Sequence, residues 1–130
     1  MELGATLYIK NTIEAVEFYK KAFGMTLGYY EKFPDGTYIH AELQKDGKTI
    51  FAISEYKNDE LISTMHELAR KRLWPTMSYG INFETEAEVQ KAYEILSNEG
   101  TILREIGSLP WSACSADVLD KYGVYWYITV

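Results

Sequence analysis

The chain has 130 residues, 47% of them apolar, enough to bury one substantial core and too few for a second independent domain. Its formal charge of -6 excludes nucleic acid and anionic membrane as natural partners, since both need positive surface to displace counterions. No run approaches the roughly 20 apolar residues of a membrane span, and Met1-Glu2-Leu3 lacks the basic-then-apolar layout of a secretion leader. The single cysteine, Cys114, rules out an internal disulfide and suits a reducing compartment, so a cytoplasmic protein is expected. Eleven tyrosines and three tryptophans leave two readings open, aromatic packing within sheets or an aromatic-lined pocket.

In chain order, Ala5 to Lys10 reads as a short strand. Asn11 with Glu14 forms a capping box for a helix whose apolar positions are Ala15, Phe18, Tyr19 and Ala22 and whose end is Gly24. Alternation then takes over: Thr26 to Phe33, a Pro34-Asp35-Gly36 turn, Thr37 to Gln44, an Asp46-Gly47 turn, and Lys48 to Ser54. A charged, helix-prone linker from about Asn58 to Arg72 stops before Trp74-Pro75, with Leu61, Met65 and Leu68 on its docking face. Met77 to Phe83 begins a second round. Thr85 and Glu88 start a helix lined by Val89, Ala92, Tyr93 and Leu96 and closed by Gly100, and strands follow at Thr101 to Ile106, Ser115 to Leu119 and Val124 to Thr129. The order strand, helix, three strands thus occurs twice, in residues 1–55 and 76–130, joined by a helical linker over 56–75, within one α+β domain.

Four stretches carry a family resemblance: Tyr8 to Gly24 (YIKNTIEAVEFYKKAFG), Asp35 to Leu43 (DGTYIHAEL), Pro110-Trp111, and Asp120 to Trp126 (DKYGVYW). Together they resemble the PhnB-like branch of the vicinal-oxygen-chelate superfamily, the glyoxalase, bleomycin-resistance and dioxygenase fold. The resemblance implies two βαβββ modules forming a curved mixed sheet around a concave groove, with helices outside, and a homodimer.

Metal-using relatives hold a divalent cation with His, Gln or Glu. On the resemblance, those positions fall near Gly4, Ala52, Met77 and Tyr127, none a dependable ligand for a hard cation, and a small misplacement brings in Glu2, Ser54 or Glu55 but no histidine set. With only His40 and His66 in the chain, no metal and no other cofactor is expected. Relatives often carry Trp-Gly followed by a basic residue; here the stretch is Trp111-Ser112-Ala113-Cys114, which puts any function of that basic side chain in doubt.

Strand alternation sends Ile39, Ala41 and Leu43 to the helix side and Tyr38, His40 and Glu42 to the concave side, with Tyr8, Tyr79, Tyr125 and Tyr127 also concave and Trp111 at the rim. These six aromatic residues are the candidate ligand contacts. His40 and Glu42 are the candidate acid/base pair; the structural alternatives are a histidine satisfied by a backbone or tyrosine partner, the favoured reading of His40, and an interface ion pair for Glu42. His66 reads as a solvated linker residue, Asp120 as the organiser of the turn before Gly123, and Trp126 and Phe18 as core.

Three functions fit this reading. The leading one is metal-independent binding of a hydrophobic or cationic small molecule in an acidic, aromatic groove. The alternative is a lyase or isomerase acting on a small carbonyl compound through His40 and Glu42 or an unrecognised metal. A third is a protein whose dimer surface is the functional feature. The scarcity of basic residues in the groove argues against a phosphonate ligand.

Overall fold

A computed structural model describes every residue except Asn58, the expected start of the linker helix, which lies outside the described residues. The chain divides into two compact units, Met1–Asn58 and Asp59–Val130.

The first unit contains β1 (Thr6–Ile9), α1 (Thr12–Phe23), β2 (Thr26–Lys32), β3 (Tyr38–Lys45) and β4 (Lys48–Glu55). Its sheet order is β1-β4-β3-β2, with β1 parallel to β4 and the other pairs antiparallel. Ala41 pairs with Ile53 and Leu43 with Phe51, so these four share a face, and α1 packs on it. Tyr19 is fully buried there, its ring edge-on to Phe51 at 5.5 Å.

The start of α1 differs from expectation. Asn11 adopts a left-handed backbone (φ 62°) and its side chain makes no capping bond. Instead Glu55, at the end of β4, accepts the Asn11 N–H at 2.9 Å and the Thr12 N–H at 3.2 Å. The Thr12 hydroxyl donates to Glu55 and accepts the Tyr38 N–H at 2.9 Å. A carboxylate borrowed from another element thus satisfies the helix's orphan amides and their partial positive charge. Gly24 closes α1 in the left-handed conformation, as the sequence implies.

The second unit contains α2 (Asp59–Arg70), β5 (Tyr79–Asn82), α3 (Glu86–Ser97), β6 (Thr101–Leu109), β7 (Ser112–Leu119) and β8 (Tyr125–Thr129). Its sheet order, β5-β8-β7-β6 with β5 parallel to β8, repeats that of the first. The fold is α+β: two open four-stranded mixed sheets and three helices among the described residues.

Val89, Ala92 and Leu96 of α3 are fully buried, as are Ala116, Val118 and Ile128 of the strands it packs on. Thr85 caps α3 as expected, accepting the Glu88 N–H at 3.2 Å while its hydroxyl donates to the Glu88 carboxylate at 2.9 Å. The left-handed residue after α3 is Glu99 rather than Gly100. A Cβ on Gly100 would lie 2.6 Å from the Leu119 carbonyl oxygen, so this glycine serves close approach.

Two expectations about the linker change. α2 is part of the second unit, where Met65 and Ala69 pack with Leu103, Leu119 and Tyr125; Leu61 and Leu68, assigned to the docking face, are exposed. His66 is half-buried rather than solvated, its Nδ1 2.7 Å from the Thr101 hydroxyl. No helix of the described residues is long and apolar enough to cross a membrane.

Candidate functional site

Each sheet has a helix-packed face and an opposite face, and strand register assigns residues between them. In the first sheet, Tyr8 pairs with Ser54, Glu42 with Ala52, and His40 with Glu31, which places Tyr8, His40 and Glu42 together on the face opposite α1. His40 Nε2 lies 3.9 Å from Glu42 Oε2, within ion-pair range and beyond a hydrogen bond. The Thr49 hydroxyl donates to Glu42 at 3.3 Å. Tyr29 and Glu31 join this face: the Tyr29 ring is 6.1 Å from His40, and its hydroxyl donates to Glu31 at 2.6 Å. That bond, and the Glu31 charge, hold the Tyr29 phenol above its ordinary pKa.

Tyr38 belongs to the other side. A bulge lets Lys32 pair with Tyr38 and Glu31 with His40, so Ile39 is an extra residue in β3 and the alternation slips. Tyr38 is buried against the edge of Tyr30, whose partner Ala41 faces α1. Ile39, expected against the helix, is exposed.

In the second sheet the face opposite α3 carries Tyr125 and Tyr127 as expected, since their partners are Leu119 and Asp117. Tyr79 does not share it. Parallel register pairs Tyr79 with the buried Trp126, and their rings lie 5.8 Å apart. Trp111 is 73% exposed, and its indole N–H donates to the Tyr127 hydroxyl at 3.0 Å.

This face also holds a network that the sequence reading missed. Arg104 Nε donates to Asp117 Oδ2 at 2.6 Å and Nη2 to the Ser115 hydroxyl at 2.8 Å, while the Tyr125 hydroxyl donates to Asp117 Oδ1 at 2.9 Å. Burial, then the bond to Asp117 and its charge, push the Tyr125 phenol well above its ordinary pKa. The available signal was two opposite charges, Arg104 and Asp117, each inside an apolar strand.

Other singled-out residues are structural. Asp120 is fully buried and accepts from the Tyr122 and Val124 amides and from the Trp126 indole, fixing the turn. Cys114 is buried, and burial first of all raises its thiol pKa, the opposite of an activated nucleophile. A surface cleft of about 410 Å³ is lined by Phe33, Pro34, Asp35, Thr37, Glu55 and Lys57, none of them a candidate from the sequence. Two of its carboxylates already have partners: Glu55 caps α1, and Thr37 donates twice to Asp35, which lowers that carboxyl's pKa.

The positions where the superfamily's divalent cation would be held do not fit it. Gly4, Ala52 and Met77 supply no hard donor, the Tyr127 oxygen accepts from Trp111, and nearby Glu55 caps α1. Among the described residues, no three His, Cys, Asp or Glu side chains gather in a way that could hold a metal ion.

Two consecutive βαβββ units of identical strand order define the class, and the sequence agrees. The chain belongs to the Glyoxalase/Bleomycin resistance protein/Dioxygenase superfamily, whose model matches residues 4–128. Among solved structures it is similar to a PhnB protein from Bacillus cereus, provisionally described as a 3-demethylubiquinone-9 3-methyltransferase, with 26% identity and a TM-score of 0.73 over 99% of this chain and 98% of that one. It shares its fold with protein PA1353 from Pseudomonas aeruginosa (18% identity, TM-score 0.70, 99% and 96% covered). A glyoxalase-related enzyme from Fulvimarina pelagi also shares it (20% identity, TM-score 0.64, 99% and 87% covered). No curated protein matches the sequence at a significant level.

Proposed function

We propose that this chain is a PhnB-like, metal-independent small-molecule-binding protein, cytoplasmic and homodimeric, whose ligand is an aromatic or apolar cation held on the helix-free face of the first sheet. The observation that supports the reading is the coincidence of exposed rings and carboxylates there. Tyr8 and Tyr29 are 66% and 59% exposed, and Glu31 and Glu42 project from the same face. A cation over a tyrosine ring gains about 0.5 to 2 kcal/mol, and a carboxylate beside it adds charge complementarity. Sequestration needs affinity and no chemistry, which suits a superfamily that includes bleomycin-resistance proteins.

Isothermal titration with benzyltrimethylammonium, together with native mass spectrometry, tests this reading. One-to-one binding per protomer of a dimer, weakened several-fold in Tyr29→Ala and Glu42→Gln, is the expected result. Equal binding of the neutral isostere neopentylbenzene would refute the cation preference.

The 3.9 Å approach of His40 to Glu42 favours a second reading, a lyase or isomerase. An imidazole and a carboxylate on one exposed face could pass a proton to and from a carbon next to a carbonyl. Solvent deuterium incorporation into a small dicarbonyl compound, abolished by His40→Ala, would support it.

A further inference from the structure

The second sheet's face opposite α3, which α2 covers at its Leu119–Tyr125 end, is built from opposite chemistry. Arg104, Asp117 and Tyr127 form one row across β6, β7 and β8, because Arg104 pairs with Asp117 and Asp117 with Tyr127. Ser115 lies in the next row, facing Gly107 and Thr129. Asp117 and Ser115 form a buried floor, at 7% and 0% exposure.

Every acceptor on that floor has a donor. Each Asp117 oxygen accepts one bond, from Arg104 or from Tyr125, and the Ser115 oxygen accepts from Arg104 while its hydroxyl donates to the Gly107 carbonyl at 3.4 Å. The donors are in surplus. Arg104 uses Nε and one Nη2 hydrogen, leaving its Nη1 hydrogens without a protein acceptor among the described residues. The Tyr127 oxygen accepts from Trp111, and its own O–H has no acceptor among them.

A guanidinium gripped at Nε and Nη2 cannot rotate, so its remaining edge is pre-organised for a planar acceptor. Trp111 supplies an apolar wall that is largely exposed, and a Cβ built on Gly107 would meet no atom within 4 Å, so the floor's edge is open.

We propose that this face is a carboxylate seat, with the Arg104 Nη1 edge and the Tyr127 hydroxyl receiving the carboxylate of a small molecule whose flat apolar body rests on Trp111. The seat suits an acceptor group, since what its open edge presents is N–H and O–H donors, and the Asp117 oxygens beneath are buried and each already accepts a bond. The seat uses none of the residues of the cation face on the first sheet.

The test is isothermal titration of the full chain with phenylacetate and with phenylacetamide, which has the same body without the charge. Phenylacetate should bind one per chain, and the amide about tenfold more weakly or less. Arg104→Lys keeps the charge and loses the fork and should weaken phenylacetate about tenfold, Trp111→Ala should weaken it several-fold, and Glu42→Gln should leave it unchanged. Because Trp111 is exposed and the acid–amide comparison uses the unaltered protein, the test holds even if Arg104→Lys fails to fold. Equal affinity for acid and amide, no binding of phenylacetate at millimolar concentration, or undiminished binding by a folded Arg104→Lys would each overturn the proposal.

Discussion

The two halves share a strand order and differ in how they use the face opposite the helix that joins their first two strands. In the first, Tyr29 donates to Glu31 at 2.6 Å at the surface. In the second, Tyr125 donates to Asp117 at 2.9 Å with Arg104 on the other oxygen, the carboxylate side chain 10% exposed and Met65, Ala69 and Trp74 packed nearby. The same tyrosine–carboxylate bond is exposed to solvent in one half and buried in the other. Topology sets where side chains go, and burial decides what they are for.

The largest expected break in that comparison comes from Asp117. Asp117→Ala leaves Arg104 without its carboxylate in a mostly buried setting and should cost about 3 kcal/mol of unfolding free energy, whereas Glu42→Ala on the first face should cost under about 1 kcal/mol. Urea unfolding of the two variants measures the gap. Next in size is Glu55→Ala, which strips the amides at the start of α1 of their acceptor and should cost about 1 to 2 kcal/mol, with amide hydrogen exchange accelerated at Asn11 and Thr12.

The effects of pH are smaller and also separate the halves. Tyr125 has a raised pKa in the folded state, so its contribution is complete below the unfolded value near 10 and is lost as pH rises beyond it. Tyr125→Phe should flatten that alkaline decline more than Tyr29→Phe, because the Tyr29 phenol, though also raised, stands in solvent that screens its bond. His66 has a lowered pKa, chiefly from burial and also from the Arg70 charge, against which the nearby Asp120 backbone acts. Its contribution is complete above the unfolded value near 6.5 and falls away as pH drops through the folded one. Hydrogen exchange at mildly acid pH should therefore rise in α2 more than in α1, and His66→Gln should remove the difference.

Much of this was legible in the sequence. The doubled strand–helix–strand order, the Thr85 cap, Gly24 and the Asp120 turn follow from local pattern, where one residue type at one spacing has a clear meaning, and the family from the resemblance of four stretches. What sequence could not give depends on pairing. The bulge at Ile39 moves Tyr38 across the sheet, and parallel register sets Tyr79 against Trp126. Register shifts in β6 likewise hide the alternation that would have brought Arg104 to Asp117. The Asn11 cap fails for a related reason: its replacement, Glu55, stands 43 residues from Thr12, beyond any local motif. Of the candidate site, His40, Glu42 and Tyr8 share a face as read, Tyr125 and Tyr127 share another with Trp111 at its edge, and Tyr38 and Tyr79 lie on helix-packed sides.

The most direct test of the cation-binding claim is a titration of the isotope-labelled protein with benzyltrimethylammonium, followed by amide and tyrosine-ring chemical shifts. Saturable shifts centred on Tyr8, Tyr29, Glu31, His40 and Glu42 are the expected result. Shifts confined to Trp111, Tyr125 and Tyr127, or none at millimolar ligand, would contradict it.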